Sequence, residues 1–183
     1  MNVRTESELL FELFCKRHGL HANPVPTSSR PTPDYELSFG EFTVIVEIKQ
    51  IESDEGLDPT GVSSRTVGAH VRRKIEEARK QVQAASSDSF PTLLLIYNKV
   101  DEQFQSFGTE PHDFICAMYG ERVVHLIEGK SAGSYHGRNA SFRSSINTSF
   151  SAVGHLRRTS SGAEVKIYEN ARVQHSFCNF PKQ

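Results

Sequence analysis

Apolar residues in this chain recur with two different periods. Between Thr5 and about His18, Leu9, Leu10, Leu13 and Phe14 fall on one broad helical face, Phe11 and Cys15 widen it, and Gly19 supplies a stop. This spacing predicts a first helix. The proline-rich connection from Asn23-Pro24-Val25-Pro26 through Arg30-Pro31-Thr32-Pro33 keeps the backbone extended. It leads into a strand from Asp34 to Phe39, which Gly40-Glu41 turns into a second strand from Phe42 to about Ile51. The polar stretch from Glu52 to Gly68 reads as a mobile loop. From Ala69 to Ser86, Val71, Ile75, Ala78, Val82 and Ala85 form a narrow stripe, while Arg72, Arg73, Lys74, Arg79 and Lys80 cover much of the remainder. That pattern predicts a basic helix seated on a sheet.

Thr92 to Tyr97 is a short continuous apolar run bounded by Pro91 and Asn98, the pattern of a central strand covered on both faces. Val123 to Ile127 reads as another, with a short helix over Pro111 to Tyr119 between them. Glu128 to Ser149, rich in Ser, Gly and Asn, reads as a long loop, and Arg138 and Arg143 make it basic. Ser151 to Arg157 and Ala163 to Tyr168 suggest a hairpin across Thr159-Ser160-Ser161-Gly162. No repeat or linker interrupts the pattern. The expectation is one α/β domain over residues 1–183.

The composition narrows the function classes. A chain of 183 residues with 37% apolar content can bury a sizeable core, and a net charge of −1 argues against nonspecific coating of nucleic acid, which rests on many phosphate contacts. Any nucleic-acid site is then a local basic patch. Cys15, Cys116 and Cys178 are few, odd in number and widely spaced, as expected of reduced thiols. Without an apolar signal core or a run long enough to span a bilayer, the chain reads as soluble, cytoplasmic and without a membrane partner.

One segment carries chemistry. The apolar run Phe42-Thr43-Val44-Ile45-Val46 closes on Glu47-Ile48-Lys49. Strand alternation puts Glu47 and Lys49 on one face and Val46 and Ile48 on the other. Two charges at the end of a core strand are costly unless they are paired, coordinated or open to a cleft. Asp34, one hairpin upstream, supplies a second carboxylate. Pro-Asp alone is an ordinary turn dipeptide and Glu-x-Lys is common; their conjunction, in the order helix, Pro-Asp entering a strand, turn, Glu-x-Lys strand and basic helix, is specific.

Pro33-Asp34 with Glu47-Ile48-Lys49 resembles the PD-(D/E)XK nuclease superfamily, over roughly Glu8 to Tyr97. The resemblance implies a restriction-endonuclease-like three-layer fold, a mixed central sheet flanked by helices, and hydrolysis of nucleic-acid phosphodiesters, with DNA as the expected polymer. Mg2+, for which Mn2+ can substitute, takes one or two carboxylates plus waters and substrate phosphate, a requirement Asp34 and Glu47 meet. Lys49 would stabilise charge on the phosphate or orient or deprotonate the attacking water. The resemblance adds the Ile48 carbonyl to the metal shell. The bland alternative is that Asp34 caps a turn while Glu47 and Lys49 pair at an exposed strand end.

In relatives resembling Holliday-junction resolvases and recombination exonucleases, a first-helix glutamate also reaches the metal, and Glu8 stands in that register relative to Gly19. Thr5-Glu6-Ser7-Glu8 equally matches a capping box. Both readings of Glu8 stay open. Glu12, one turn later, is the alternative ligand or an exposed helical glutamate. Gln81 corresponds to a glutamine these relatives carry on the helix after the Glu-x-Lys strand, although Ala85 stands where they usually have tyrosine.

Lys74, on the flank of Gln81, would hold a phosphate, and Arg72 and Arg79 would track a nucleic-acid backbone together with Arg138 and Arg143. Each is otherwise the solvated side of an amphipathic element. Cys15, His18 and His21 have ligand-like spacing but no fourth partner for structural zinc. A Mg2+-dependent endonuclease is the first reading, with a homodimer left open; the alternative is an inactive nuclease-fold protein serving as a nucleic-acid-binding or assembly module.

Overall fold

A computed structural model describes residues 4–26, 31–40, 42–52, 66–86, 90–100, 107–143 and 145–170. The 52–68 segment, expected to be a mobile loop, lies largely outside the described residues, as do Cys178 and Glu41 of the expected turn. Three helices, α1 (Glu6–Arg17), α2 (Ala69–Ser86) and α3 (Pro111–Tyr119), accompany eight strands. These are β1 (His21–Pro24), β2 (Tyr35–Phe39), β3 (Phe42–Ile51), β4 (Thr92–Asn98), β5 (Glu121–Ile127), β6 (Lys130–Arg138), β7 (Ala152–Thr159) and β8 (Gly162–Glu169).

Six strands form one mixed sheet in the order β1-β2-β3-β4-β7-β8. β3, β4 and β7 run parallel in the centre, and antiparallel pairs β1/β2/β3 and β7/β8 close the two edges. β4 is buried along its whole length, as its unbroken apolar run requires of a strand covered on both faces. On one face, Leu10, Phe11 and Cys15 of α1 pack against Val46, Ile48 and Leu95. On the other, Val71, Ile75, Ala78 and Val82 of α2 and Phe114, Ala117 and Met118 of α3 pack against Ile51, Leu94 and Ile96.

Both ends of α1 are written in the sequence. Thr5 and Glu8 close a capping box at the start. At the end, Gly19 adopts φ +65° and lets the Leu20 N–H turn back to the Cys15 carbonyl at 2.9 Å, a Schellman stop. The buried face is narrower than the apolar arc predicted. Ser7, Leu10, Phe11 and Cys15 are buried, whereas Leu9 and Leu13 are exposed. One helix lying on a sheet buries a single row of i, i+3 and i+4 positions, and residues one step off that row stay outside.

Three further expectations are corrected. Asn23 and Pro24, read as the start of an extended connection, close β1, an edge strand over His21–Pro24 paired antiparallel with β2. Proline is admitted there because an edge strand need not donate on both sides. Val123–Ile127 is not a central strand: β5 is exposed along most of its length and, among the described residues, pairs only with β6. The stretch expected to be loop over 128–149 contains β6. Glu128 and Gly129, at φ 49° and 75°, form the two-residue turn of opposite hand that matches hairpin twist.

Candidate active site

The site lies where β2 stops short of β3. Tyr35 pairs with Val46, and the register continued by one residue sets Asp34 opposite Glu47. Beyond that point β2 contributes no further ladder partners to β3. The Ile48 N–H, facing this gap, donates to Asp34 Oδ2 at 2.7 Å, and the Asp34 N–H donates to the Val46 carbonyl. A strand residue's N–H and C=O point to the same side, so the Ile48 carbonyl faces the gap as well.

Val44, Val46 and Ile48 point toward α1, so Glu47 and Lys49 share with Ile51 the face that α2 covers. Glu47 is only 2% exposed. Its Oε1 receives Lys49 Nζ at 2.7 Å, while Oε2 is buried with no hydrogen-bond partner. The Lys49 side chain is 21% exposed, so the pair lies at the margin of the buried region. Burial first, then the charge of Asp34, pushes the Glu47 carboxyl up to about 7, against the pull of Lys49. Burial also raises Asp34, and Glu8 adds to the rise, while the Ile48 N–H and Lys49 oppose it. Two carboxylates and one ammonium therefore share one partly dry field.

Glu8 is seated by α1, whose N-terminal turn docks on the end of β3 through the Ser7 N–H donating to Gln50 Oε1. Glu8 Oε2 accepts from the Thr5 N–H at 2.5 Å and the Thr5 hydroxyl at 2.8 Å, so the capping box is formed. Its charge nevertheless reaches Asp34. Glu12 is held away from such a role: Tyr35 donates to its Oε1 and Arg4 to its Oε2.

On α2, Lys74 is 4% exposed and pairs with Glu77 at 2.9 Å. Gln81, two turns later, is half-buried, and its Oε1 is buried without a partner. Arg72 has a structural use: its guanidinium donates to the carbonyls of Val67 at 2.6 Å and Cys116 at 3.2 Å, tying the entry of α2 to α3. Arg79 is half-buried. Arg138 and Arg143 are exposed and line a pocket beside the β5–β6 hairpin that contains no residue of α2. The structure thus brings Asp34, Glu47, Ile48 and Lys49 together, sets Glu8 within range for its charge to act on Asp34, and divides the five expected nucleic-acid contacts into two groups.

Among the described residues, no group of three or more His, Cys, Asp and Glu side chains is arranged to hold a metal ion, and this covers Glu8 with Asp34 and Glu47 as well as Cys15, His18 and His21. Cys15 is buried in the core, and His18 lies against the Phe14 ring. Two carboxylates are nevertheless sufficient for Mg2+, which keeps most of its shell as water and substrate oxygen. The orphaned Glu47 Oε2 is an acceptor with nothing yet to accept from.

Two polar residues of this region are not found by motif reading. Gln50 positions α1 and, through Nε2, holds Glu52. Glu6 Oε1 accepts from the Tyr97 hydroxyl and from Arg158, joining α1 to β4 and β7. Both partnerships span long stretches of sequence, and no local pattern announces them. Comparison with protein-family models, with curated proteins and with solved structures finds no match to the chain.

Proposed function

We propose that the chain is a divalent-metal-dependent phosphodiesterase acting on nucleic acid, DNA in the first instance, with Asp34 and Glu47 as its metal-binding carboxylates. The observation that carries this reading is the pairing of a buried, half-satisfied carboxylate with a second carboxylate at the open flank of a central strand. A structural ion pair has no need of Asp34 beside it. The flank is also at the carboxyl-terminal half of a parallel strand, where α/β sheets bind ligands. We further read the sheet, with its β2–β3 hairpin feeding a β3-α2-β4 crossover, as restriction-endonuclease-like.

Glu47 Oε2, Asp34 and the Ile48 carbonyl would hold Mg2+ or Mn2+, with Glu8 as a further ligand through the oxygen its capping bond leaves over. Such a cation supplies Lewis-acid stabilisation of the phosphoryl oxygens and eases deprotonation of a water. The chain's own residues do the rest. The Ile48 N–H fixes the Asp34 carboxylate, and the Lys49 ammonium, anchored on Glu47 Oε1, stands ready to neutralise charge growing on a phosphate oxygen.

A second reading, a binding or assembly module without cleavage, is favoured by one observation: Lys49 already satisfies half of the Glu47 carboxylate at 2.7 Å. Incubation with supercoiled, linear, single-stranded and branched DNA and with RNA, with and without Mg2+ or Mn2+, separates the two. Metal-dependent cleavage lost in Lys49→Ala supports the hydrolase; binding without cleavage under every condition supports the module.

A further inference from the structure

The β5–β6 hairpin carries a surface that the carboxylate site does not use. Val123 pairs with Tyr135 and His125 with Gly133, so these four positions share one face of the ribbon. Gly133 leaves Tyr135 without a side-chain neighbour on one side along its own strand. On the other side, a Cβ at Gly137 would stand 3.1 Å from the ring. Tyr135 is 52% exposed, and among the described residues its ring stacks with His125 at 5.3 Å between centroids. Next to it lies a pocket of about 890 Å³, lined among others by Tyr135, His136, Arg138, Asn139, Phe142 and Arg143.

No carboxylate is among the described residues that line this pocket, and Glu121, opposite Arg138 across the ribbon, is held by Asn139. Arg138 and Arg143 are exposed, and neither guanidinium has a hydrogen-bond or ion-pair partner among the described residues. A half-exposed aromatic ring beside two exposed guanidiniums is complementary to a flat heteroaromatic ring carrying phosphates on either side. Every nucleobase offers a π-face, and guanidinium groups match phosphate oxygens in pairs. A base inside a duplex has both faces covered by its neighbours and would have to leave the stack first.

We infer that this pocket binds an unpaired nucleotide of a single-stranded nucleic-acid segment, with the base stacked on Tyr135 and the flanking phosphates on Arg138 and Arg143. The inference deepens the hydrolase reading, on which it rests for the identity of the polymer, by naming single-stranded stretches as what the protein holds.

The test uses the full chain in EDTA and short thymidine oligonucleotides carrying one 2-aminopurine, followed by anisotropy and by 2-aminopurine quenching. Wild type is expected to bind the single strand more tightly than a blunt duplex and to quench the probe. Tyr135→Ala should weaken binding about tenfold and remove the quenching, in line with the stacking contribution of one base. Tyr135→Phe should retain both, and Arg138→Ala with Arg143→Ala should weaken binding and flatten its salt dependence.

Unchanged affinity in Tyr135→Ala, or duplex bound as tightly as single strand, overturns the inference. So does self-association of the free protein that is lost in Leu126→Ser with Ile127→Ser while no oligonucleotide binds, because the exposed hairpin tip would then be a contact between copies of this chain. Cleavage retained without stacking refutes the pocket alone. Stacking retained without any metal-dependent cleavage refutes the hydrolase alone.

Discussion

Asp34 Oδ2 and the Ile48 N–H, 2.7 Å apart, join the two halves of the motif. This bond fixes one carboxylate at the strand flank and leaves the other, Glu47, to balance its burial with a single ammonium. Asp34 therefore has a structural task and a proposed chemical one, and different substitutions separate them. Asp34→Asn keeps an oxygen for the Ile48 N–H and should leave the fold intact while abolishing metal-dependent cleavage. Asp34→Ala takes the charged acceptor from the part-buried Ile48 N–H and should cost about 1–3 kcal/mol in denaturant titration as well.

Glu47→Gln and Lys49→Ala are expected to abolish cleavage to the same floor as Asp34→Asn. A double variant should fall no further, because groups acting on one metal–phosphate unit fail together instead of adding. Single-turnover rates measure this. Wild-type-like cleavage in Lys49→Ala would remove that residue from the mechanism.

The pH dependence of stability has a definite sign. Glu47 titrates near 7 in the folded chain against an ordinary 4.5, so between those values the folded state keeps a proton the unfolded chain has lost. Stability of the metal-free protein should thus fall as pH rises through that window, by on the order of 2–3 kcal/mol. Asp34, raised in the same direction, adds to the fall. Chemical denaturation at several pH values should show this slope in wild type and a flatter one in Glu47→Gln. Parallel slopes would contradict the burial of an unbalanced carboxylate.

Glu8 is separable from its cap. Thr5→Ala removes the hydroxyl of the capping box and should cost about 1 kcal/mol with little change in cleavage. Glu8→Gln still accepts from the Thr5 N–H and should be nearly as stable as wild type. Loss of cleavage in Glu8→Gln alone assigns the residue to the metal; equal cleavage in both variants leaves it a capping residue.

The two groups of basic residues should also part company. Arg72→Ala loses the bonds to Val67 and Cys116 and should lower the melting temperature without altering the salt slope of binding. Arg138→Ala and Arg143→Ala should leave melting unchanged and each reduce that slope by about one. Salt titrations of oligonucleotide affinity decide between them.

The central elements were legible because their patterns are long and their periods distinct. The stripe Val71, Ile75, Ala78, Val82 and the unbroken apolar run of β4 each admit one solution, and Asp34, Glu47 and Lys49 could be placed together because strand alternation and one hairpin suffice to do so. What was missed depends on partners remote in sequence. Val123–Ile127 looks like a core strand until its uncovered faces are known, and β6, Lys130-Ser131-Ala132-Gly133-Ser134-Tyr135-His136-Gly137-Arg138, has no alternation to reveal it. Its one signal, glycine in a two-residue turn at Glu128-Gly129, is easily lost in a polar stretch. Arg72 reads as a solvated cation because nothing nearby in sequence says that α3 will dock against it.

Thermal melting with and without divalent cation, at a pH about one unit above the Glu47 titration, tests the proposed metal site most directly. Mg2+ or Mn2+ should raise the melting temperature of wild type by mass action, in proportion to the logarithm of cation concentration once above its dissociation constant. Asp34→Asn should melt at or above the metal-free wild type, having lost the repulsion between the two carboxylates, and should lose most of the metal-dependent gain. If Asp34→Asn instead melts well below wild type without metal and the cation still stabilises it, Asp34 and Glu47 are not a metal-binding pair and the hydrolase proposal fails.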